Sequence, residues 1–139
     1  MRTNLLNPLG PRIVLASHSD RRRELLTLIG ARFDCHPVHV DETPLPMERA
    51  EAHVLRLAES KARAALAAGA ARENPEITVL LGADTVVTID RDILGKPAVA
   101  EDAARMLARL SGRVHEVWTG LSLLDPSDGR AVTQAVRSI

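Results

Sequence analysis

One aspartate stands in a sequence context that is typical of catalytic carboxylates in α/β proteins. Asp84 follows the apolar run of residues 77–81 and the small residues Gly82 and Ala83. Open α/β sheets place catalytic groups just past the carboxyl ends of their strands, and small neighbours let a ligand approach closely. Such a carboxylate can act as a general base or hold a divalent cation. An aspartate that forms a turn or a cap would give the same pattern, so both interpretations stay open.

A run of arginines at the start of a predicted helix indicates an anion site. Ser17 ends the apolar run of residues 13–17, and Arg21, Arg22 and Arg23 follow shortly after it. The N–H groups of a helix N-terminus bind anions, whereas cations there are unfavourable by about 0.3–1 kcal/mol each. Three arginines in this position therefore favour an anionic partner. A solvated basic turn is the alternative.

The two lysines form the next candidate pair, because only they among the 18 basic side chains are not arginines. Lys61 borders the apolar stripe of a helix predicted over residues 48–71, and Lys96 lies in a Gly-Lys-Pro turn. Lysine is a compact point charge and arginine a planar fork, so the two are not equivalent at a phosphate. The pattern favours phosphate binding at both lysines. A lysine that covers apolar surface with its stem, or an ordinary turn lysine, is the alternative.

Two further groups carry weaker signals. Asp41 and Glu42 follow a predicted strand and could hold a divalent cation together with Asp84, although such pairs are mostly solvated loop residues. A soft-metal site is also conceivable, but its spacing fits poorly and a proline interrupts it: Cys35, His36 and His39.

The hydrophobic pattern predicts an α/β class in which helices and strands alternate. The core must be aliphatic, because the aromatic residues are Phe33 and Trp118 alone. The predicted strands cover residues 13–17, 31–40, 77–81, 86–89 and 93–94, and a hairpin joins residues 114–124 to 130–139. Three helices are predicted. The first begins at Ser19 or Asp20 and ends near Gly30, and the other two cover residues 48–71 and 101–110.

The composition excludes several classes of protein. The 139 residues carry a formal net charge of zero, which argues against a nucleic-acid or membrane surface driven by bulk charge. No apolar run approaches the roughly 20 residues of a membrane helix. One cysteine and the lack of an apolar leader predict a cytoplasmic protein. The prediction is one domain over residues 1–139, incomplete at its C-terminus because the chain stops inside a predicted strand.

Together these elements resemble the Maf family of nucleoside triphosphate pyrophosphatases. The resemblance rests on the order and spacing of several blocks, each of which is weak alone. They are LASHSDRRRELL from residue 15, VDE at 40–42, AESKA at 58–62, LGADTVV at 81–87, GKP at 95–97, the segment 106–113 and HEVWTG at 115–120. The family usually has proline where this chain has Asp20, and both residues suit the first turn of a helix. The C-terminal third of the family has no counterpart here.

The resemblance implies a Maf/Ham1 (ITPase-like) fold, a mixed sheet flanked by helices and usually dimeric. It implies hydrolysis of nucleoside triphosphates to the monophosphate and diphosphate, with Asp84 as base or metal ligand. Glu42 and Asp84 would hold Mg²⁺ or Mn²⁺. The substrate-binding positions would be Ser17, Arg21, Arg22, Lys61, Thr85 and Lys96, of which Arg21 and Thr85 match the subgroup that cleaves dTTP and UTP. A non-catalytic nucleotide-binding remnant and an interaction protein in division control are the alternatives.

Overall fold

The structure of the protein is a computed structural model that describes residues 12–72, 76–94 and 99–139. Six strands and three helices follow each other in the described part of the chain. The strands are β1 (Arg12–Leu15), β2 (Arg32–Cys35), β3 (Ile77–Ile89), β4 (Asp92–Leu94), β5 (Glu116–Leu124) and β6 (Ala131–Ser138). The helices are α1 (Asp20–Leu28), α2 (Ala50–Ala67) and α3 (Ala100–Leu110). The predicted α/β class and hairpin are confirmed.

The strands form one mixed sheet in the order β2-β1-β3-β5-β6, with β4 paired to β3. Strands β2, β1 and β3 run parallel, whereas β5 and β6 run antiparallel to their neighbours. The turn from β3 to β4 places Asp90 and Arg91 at φ 50° and 69°, as a tight hairpin turn of the mirror-image type requires.

The structure corrects the prediction that one strand ends before Asp84. Residues 77–81 and 86–89 belong to a single long strand, β3, and Asp84 lies near its middle. On one edge β3 pairs with β5 throughout residues 80–88. On the other edge β1 pairs with β3 as far as Leu81, and β4 pairs with it from Val87 onward. Among the described residues, no strand therefore pairs with residues 82–86 of β3 on this edge, which leaves a gap between β1 and β4. Asp84 lies at this gap, past the end of β1 and not past the end of β3.

Helix α2 covers this part of the sheet at very short range because two glycines face it. A Cβ added to Gly82 would stand 2.0 Å from the carbonyl oxygen of Ala58, and one added to Gly120 would stand 2.3 Å from that of Val54. Neither position can accept a larger residue unless the helix backbone moves. Because Gly82 and Gly120 have no side chains, α2 can lie close to the gap between β1 and β4.

The core beneath α2 is aliphatic, as the composition predicts. Neither Phe33 nor Trp118 is buried. The packed cluster consists of Val14, Ala16, Ala62, Ala65, Ile77, Leu80 and Leu124. In the described ranges of the chain, no helix combines the length and the apolar character needed to cross a membrane.

Candidate active site

Three charged side chains meet at the gap between β1 and β4. Lys61 of α2 lies with its Nζ 3.1 Å from Oδ1 of Asp84 and 3.1 Å from Oε1 of Glu42. The same ammonium donates to the carbonyl oxygen of Ala83 at 3.3 Å, a main-chain oxygen of the gap. Only 11% of the Lys61 side chain and 7% of the Asp84 side chain are exposed. The gap therefore holds one buried cation between two carboxylates.

Asp84 combines burial with incomplete hydrogen bonding. Its Oδ2 atom is buried and has no hydrogen-bond partner among the described residues. Burial raises the pKa of Asp84 above its usual value, and the negative charge of Glu42 acts in the same direction. The Lys61 ammonium opposes this rise without cancelling it. A carboxylate with a raised pKa is a better proton acceptor, which is the property expected of a general base.

Arg22 connects the start of α1 to the same gap. Ser19 caps α1 by accepting from the Arg22 N–H, which confirms the predicted cap and orients the first turn. The Arg22 guanidinium then donates to Oγ of Ser17 at 3.3 Å and to Oγ1 of Thr85 at 3.0 Å. Burial lowers the pKa of Arg22 from its usual value, and the charges of Asp84 and Glu42 oppose this. Ser17 and Thr85 thus lie around a cation that faces the two carboxylates.

The structure does not bring Arg21 and Arg23 into this cluster. Arg21 pairs with Glu24 at 3.7 Å and Arg23 pairs with Asp20 at 3.5 Å, all along the exposed surface of α1. A helix turn points its successive side chains about 100° apart, so one arginine of three can face the sheet. Lys96 lies outside the described residues.

Two cavities open from the cluster and share Glu42. A narrow one of about 70 Å³ is lined by Ser17, Arg22 and Lys61. A wider one of about 560 Å³ begins at Asp84 and Thr85 and has an apolar wall. That wall consists of Val87, Ile93, Leu94 and Met106. The cations thus line a small polar recess, and apolar side chains line the larger space beside it.

Sequence reasoning missed a second buried cluster, which lies along the first two turns of α2. His53 is 2% exposed, and its Nδ1 lies 2.9 Å from Oε1 of Glu48. Arg56 donates to both carboxylate oxygens of Glu48, at 2.7 and 2.8 Å. The other nitrogen of His53, Nε2, lies 4.0 Å from Oδ2 of Asp84. The available signal was the position of His53 inside the apolar stripe of α2, where a polar residue needs a partner.

The residues of the gap fit a hard divalent cation in one specific way. Among the described residues, no group of three or more His, Cys, Asp or Glu side chains could hold a metal ion, so the soft-metal site considered at Cys35, His36 and His39 does not form. Mg²⁺ usually takes one or two carboxylates and completes its shell with water and substrate phosphates. The buried unpartnered oxygen of Asp84 and the nearby Glu42 supply such a pair of carboxylates.

The overall architecture is similar to that of a protein of known structure. The structure is similar to that of the Staphylococcus aureus Ham1 protein, with a TM-score of 0.50 and 14% sequence identity. The match covers 91% of this chain and 70% of that one. At this identity the similarity shows the fold, which confirms the predicted Ham1 (ITPase-like) class.

The chain belongs to the Maf family, since the family model described as Maf-like protein matches residues 12–139. A protein of Geobacter sp. (strain M21) named dTTP/UTP pyrophosphatase is 50% identical over 126 residues, which are 91% of this chain and 62% of the relative. A dTTP/UTP pyrophosphatase of Anaeromyxobacter sp. (strain Fw109-5) is 48% identical, over 87% of this chain and 55% of the relative. The chain therefore spans about three fifths of the length of the curated relatives it matches.

Proposed function

We propose that the protein hydrolyses nucleoside triphosphates at the bond between the α and β phosphates, releasing the monophosphate and diphosphate. The observation that carries this proposal is the buried, unpartnered Oδ2 of Asp84, set beside the buried ammonium of Lys61. An oxygen that accepts no hydrogen bond from the described residues keeps its lone pairs for a water or a cation that enters the gap. The names of the relatives, dTTP/UTP pyrophosphatase, point in the same direction.

The side chains around the gap divide the chemistry between them. Asp84 either accepts the proton of the attacking water at Oδ2 or holds the divalent cation there, while Lys61 keeps Oδ1 in place. Arg22 lies where it can bind phosphate oxygens once they displace its bonds to Ser17 and Thr85, and Lys96 is proposed to do the same. Fixed cations that neutralise charge on a transferring phosphoryl group account for a large part of such catalysis.

A divalent cation is part of the proposal. When bound at Glu42 and Asp84, Mg²⁺ or Mn²⁺ would neutralise phosphate charge and lower the pKa of a bound water. In the structure Lys61 bridges the two carboxylates at 3.1 Å each. Lys61 therefore compensates their charges before a cation and a polyphosphate enter.

The preference for dTTP and UTP is a finer part of the proposal. It rests on Arg21 and Thr85, which match the positions of the subgroup with that activity. Thr85 is held by Arg22 and by Thr119, whose Oγ1 lies 3.1 Å away, so its hydroxyl has a fixed place in the lining of the wider cavity. Arg21 lies outside the gap, on the exposed surface of α1, where it pairs with Glu24.

A panel of nucleoside triphosphates with Mg²⁺ or Mn²⁺ tests the proposal, with separate detection of diphosphate and orthophosphate. We expect dTTP and UTP to yield their monophosphates and diphosphate in equal amounts. Arg22→Ala should raise KM strongly, whereas Arg23→Ala, which removes a surface arginine of the same turn, should not. Binding without turnover would favour the alternative of a nucleotide-binding protein. Orthophosphate as the first product would refute the pyrophosphatase assignment.

A homodimer of the full-length protein and a cytoplasmic location are the remaining parts of the proposal. Both come from the family resemblance and the composition, and sedimentation and cell fractionation test them. The proposed ligand is a small polyanion, with no role for nucleic acid or a membrane. The zero net charge of the chain supports this choice.

A further inference from the structure

The buried histidine of α2 lies on the wall of the wider cavity, beside Asp84. His53 is 2% exposed, and it lines the cavity of about 560 Å³ together with Asp84 and Thr85. Its Nε2 lies 4.0 Å from Oδ2 of Asp84, the buried oxygen without a hydrogen-bond partner among the described residues. This distance is too long for a direct hydrogen bond. The histidine is thus close to the proposed reactive carboxylate without being bonded to it.

The contacts on the far side of the ring decide which nitrogen carries the hydrogen. Nδ1 of His53 lies 2.9 Å from Oε1 of Glu48, and hydrogen bonds from Arg56 lower the pKa of that carboxyl to about 2. An ionised carboxylate only accepts hydrogen bonds, so Nδ1 is the nitrogen with the hydrogen. Arg56 also approaches Nδ1, but at 3.5 Å this contact is the longer one. Any oxygen acceptor at position 48, charged or neutral, gives the ring the same orientation.

In the neutral imidazole, Nε2 then has a lone pair and no hydrogen. Nε2 of His53 and Oδ2 of Asp84 are therefore two acceptors, which explains why they do not bond to each other. A water about 2.8 Å from both atoms can donate one hydrogen to each, because the two bonds then meet at about 90°, near the angle between the hydrogens of water. Such a water turns its lone pairs away from both acceptors. Since both residues line the wider cavity, the lone pairs are free for a phosphorus atom held there.

We propose that His53 is a positioning residue that, together with Asp84, holds and orients the water that attacks the nucleoside triphosphate. The inference rests on the proposed function for the reaction, and it takes the first of the two roles given there to Oδ2 of Asp84. His53 gains and loses no proton. One proton of the water passes to Oδ2, the water oxygen bonds to phosphorus, and the bridging oxygen between the α and β phosphates keeps the electron pair of the broken bond. A reactant held in its reacting orientation has less entropy to lose in the transition state.

Two replacements of the histidine separate the roles of its two nitrogens. The short amide of His53→Asn reaches the place of Nδ1 and leaves nothing at the place of Nε2. The longer amide of His53→Gln reaches the place of Nε2. With enzyme in excess over dTTP, we expect single-turnover hydrolysis to slow about tenfold or more in His53→Asn, as the loss of one hydrogen bond to the water predicts. In His53→Gln the rate should stay within about threefold of the wild type.

Binding of the substrate should not change in either variant. The dissociation constant of the α,β-methylene analogue of dTTP, which cannot be cleaved at this bond, should stay within about twofold of the wild type, because His53 contacts the water and not the nucleotide. A rate loss in His53→Asn that comes with an equal loss of affinity for the analogue would refute the proposed role.

Arg56→Gln is the matched control for a merely structural role. Arg56 supports the same buried cluster through its hydrogen bonds to Glu48 and to the carbonyl oxygen of Thr43. This variant should lower the melting temperature at least as much as His53→Asn does, and its single-turnover rate should stay within about twofold of the wild type. If Arg56→Gln loses rate in proportion to its loss of stability, as His53→Asn does, the histidine only supports the fold and the inference is wrong.

A crystal structure of the wild type is a second test that needs no variant. We expect one water within hydrogen-bond distance of both Nε2 of His53 and Oδ2 of Asp84. A direct bond between these two atoms, or a metal ion on Oδ2 in place of the water, would refute the inference and leave the proposed function intact. Normal single-turnover hydrolysis by His53→Asn would do the same. A wild type that cleaves no nucleoside triphosphate would instead refute the proposed function, and the inference with it.

Discussion

Glu48 and Asp84, two carboxylates near the same histidine of α2, have opposite electrostatic environments. Glu48 accepts two hydrogen bonds from Arg56, one from the Leu45 N–H and a contact from His53. These bonds lower the pKa of Glu48 to about 2. Among the described residues, Asp84 has one hydrogen-bonded oxygen and one oxygen without a partner, and burial raises its pKa. Both side chains are only 7% exposed, so burial alone does not separate them.

The difference shows how a fold distinguishes a structural carboxylate, Glu48, from the proposed reactive carboxylate, Asp84. When all lone pairs of a carboxylate accept hydrogen bonds, those bonds stabilise its ionised form and no lone pair is left for a ligand. A buried carboxylate with one oxygen that accepts no hydrogen bond destabilises the fold when it is ionised. The same oxygen remains available as a hydrogen-bond acceptor or metal ligand. His53, which lies between the two carboxylates, belongs to the satisfied cluster through Nδ1 and reaches only to 4.0 Å from Asp84.

The largest effect is expected from Asp84→Asn. Loss of a general base or of a metal ligand should lower kcat for dTTP and UTP by about 10²–10⁴. The melting temperature should stay equal or rise at pH 7, because the variant removes a buried charge with an unfilled oxygen. Steady-state kinetics and thermal melting of the same samples check both halves. Near-normal turnover with the same metal requirement would show that Asp84 has been assigned the wrong role.

The reverse result is expected from Glu48→Gln. This change removes charged hydrogen bonds from Arg56 and should lower the free energy of unfolding by about 1–3 kcal/mol. At a temperature where the variant is folded, kcat should stay within about twofold of the wild type. Urea unfolding provides the measurement. Glu59→Gln, which breaks an exposed pair with Arg63, is the matched control and should cost less than about 1 kcal/mol. A large loss of kcat with unchanged stability would invalidate the comparison.

Lys61→Arg tests whether the gap needs a point charge. The Lys61 ammonium fits between two carboxylates and a main-chain oxygen, and a longer planar guanidinium cannot take the same three positions. We expect kcat/KM to fall about tenfold or more, and a similar loss for Lys96→Arg. A solvated basic residue should tolerate the exchange within about 0.5 kcal/mol, and Arg63→Lys serves as that control. No change in either lysine variant would remove the argument from the scarcity of lysine.

The smallest effect concerns stability against pH. The pKa of Glu48 is lowered, so its stabilising contribution is present above the unfolded value of 4.5 and is lost as the pH falls toward 2. Asp84 has a raised pKa, so protonation on acidification favours the folded state. Urea midpoints of the wild type between pH 5 and pH 2.5 should therefore fall, and those of Glu48→Gln should fall less. Parallel curves for the two proteins would contradict the assignment of Glu48.

The sequence by itself determined the helices, most of the strands and the aliphatic core, and it singled out the candidate reactive groups, although it divided β3 into two strands. Apolar periodicity and cap residues are local signals, and they correctly placed α1 with its Ser19 cap, the long helix α2 and the hairpin of β5 and β6. The scarcity of lysine favoured phosphate binding at Lys61, and the apolar run before Asp84 favoured a catalytic carboxylate; both stay predictions. The shortage of aromatic residues predicted the aliphatic core.

Tertiary structure alone decided where these groups meet. A strand looks the same in sequence whether its edges are paired or open. The gap between β1 and β4, and the position of Asp84 past the end of β1, therefore depend on the distant residues of those two strands. The selection of Arg22 over its two neighbours depends on the angle at which α1 meets the sheet. Glu48 pairs with Arg56, and His18 pairs with His39. The spacing of these residues in the sequence follows no helix or strand periodicity, so the sequence alone does not indicate either pairing. Local physics fixes each element, and the contacts between elements create the site.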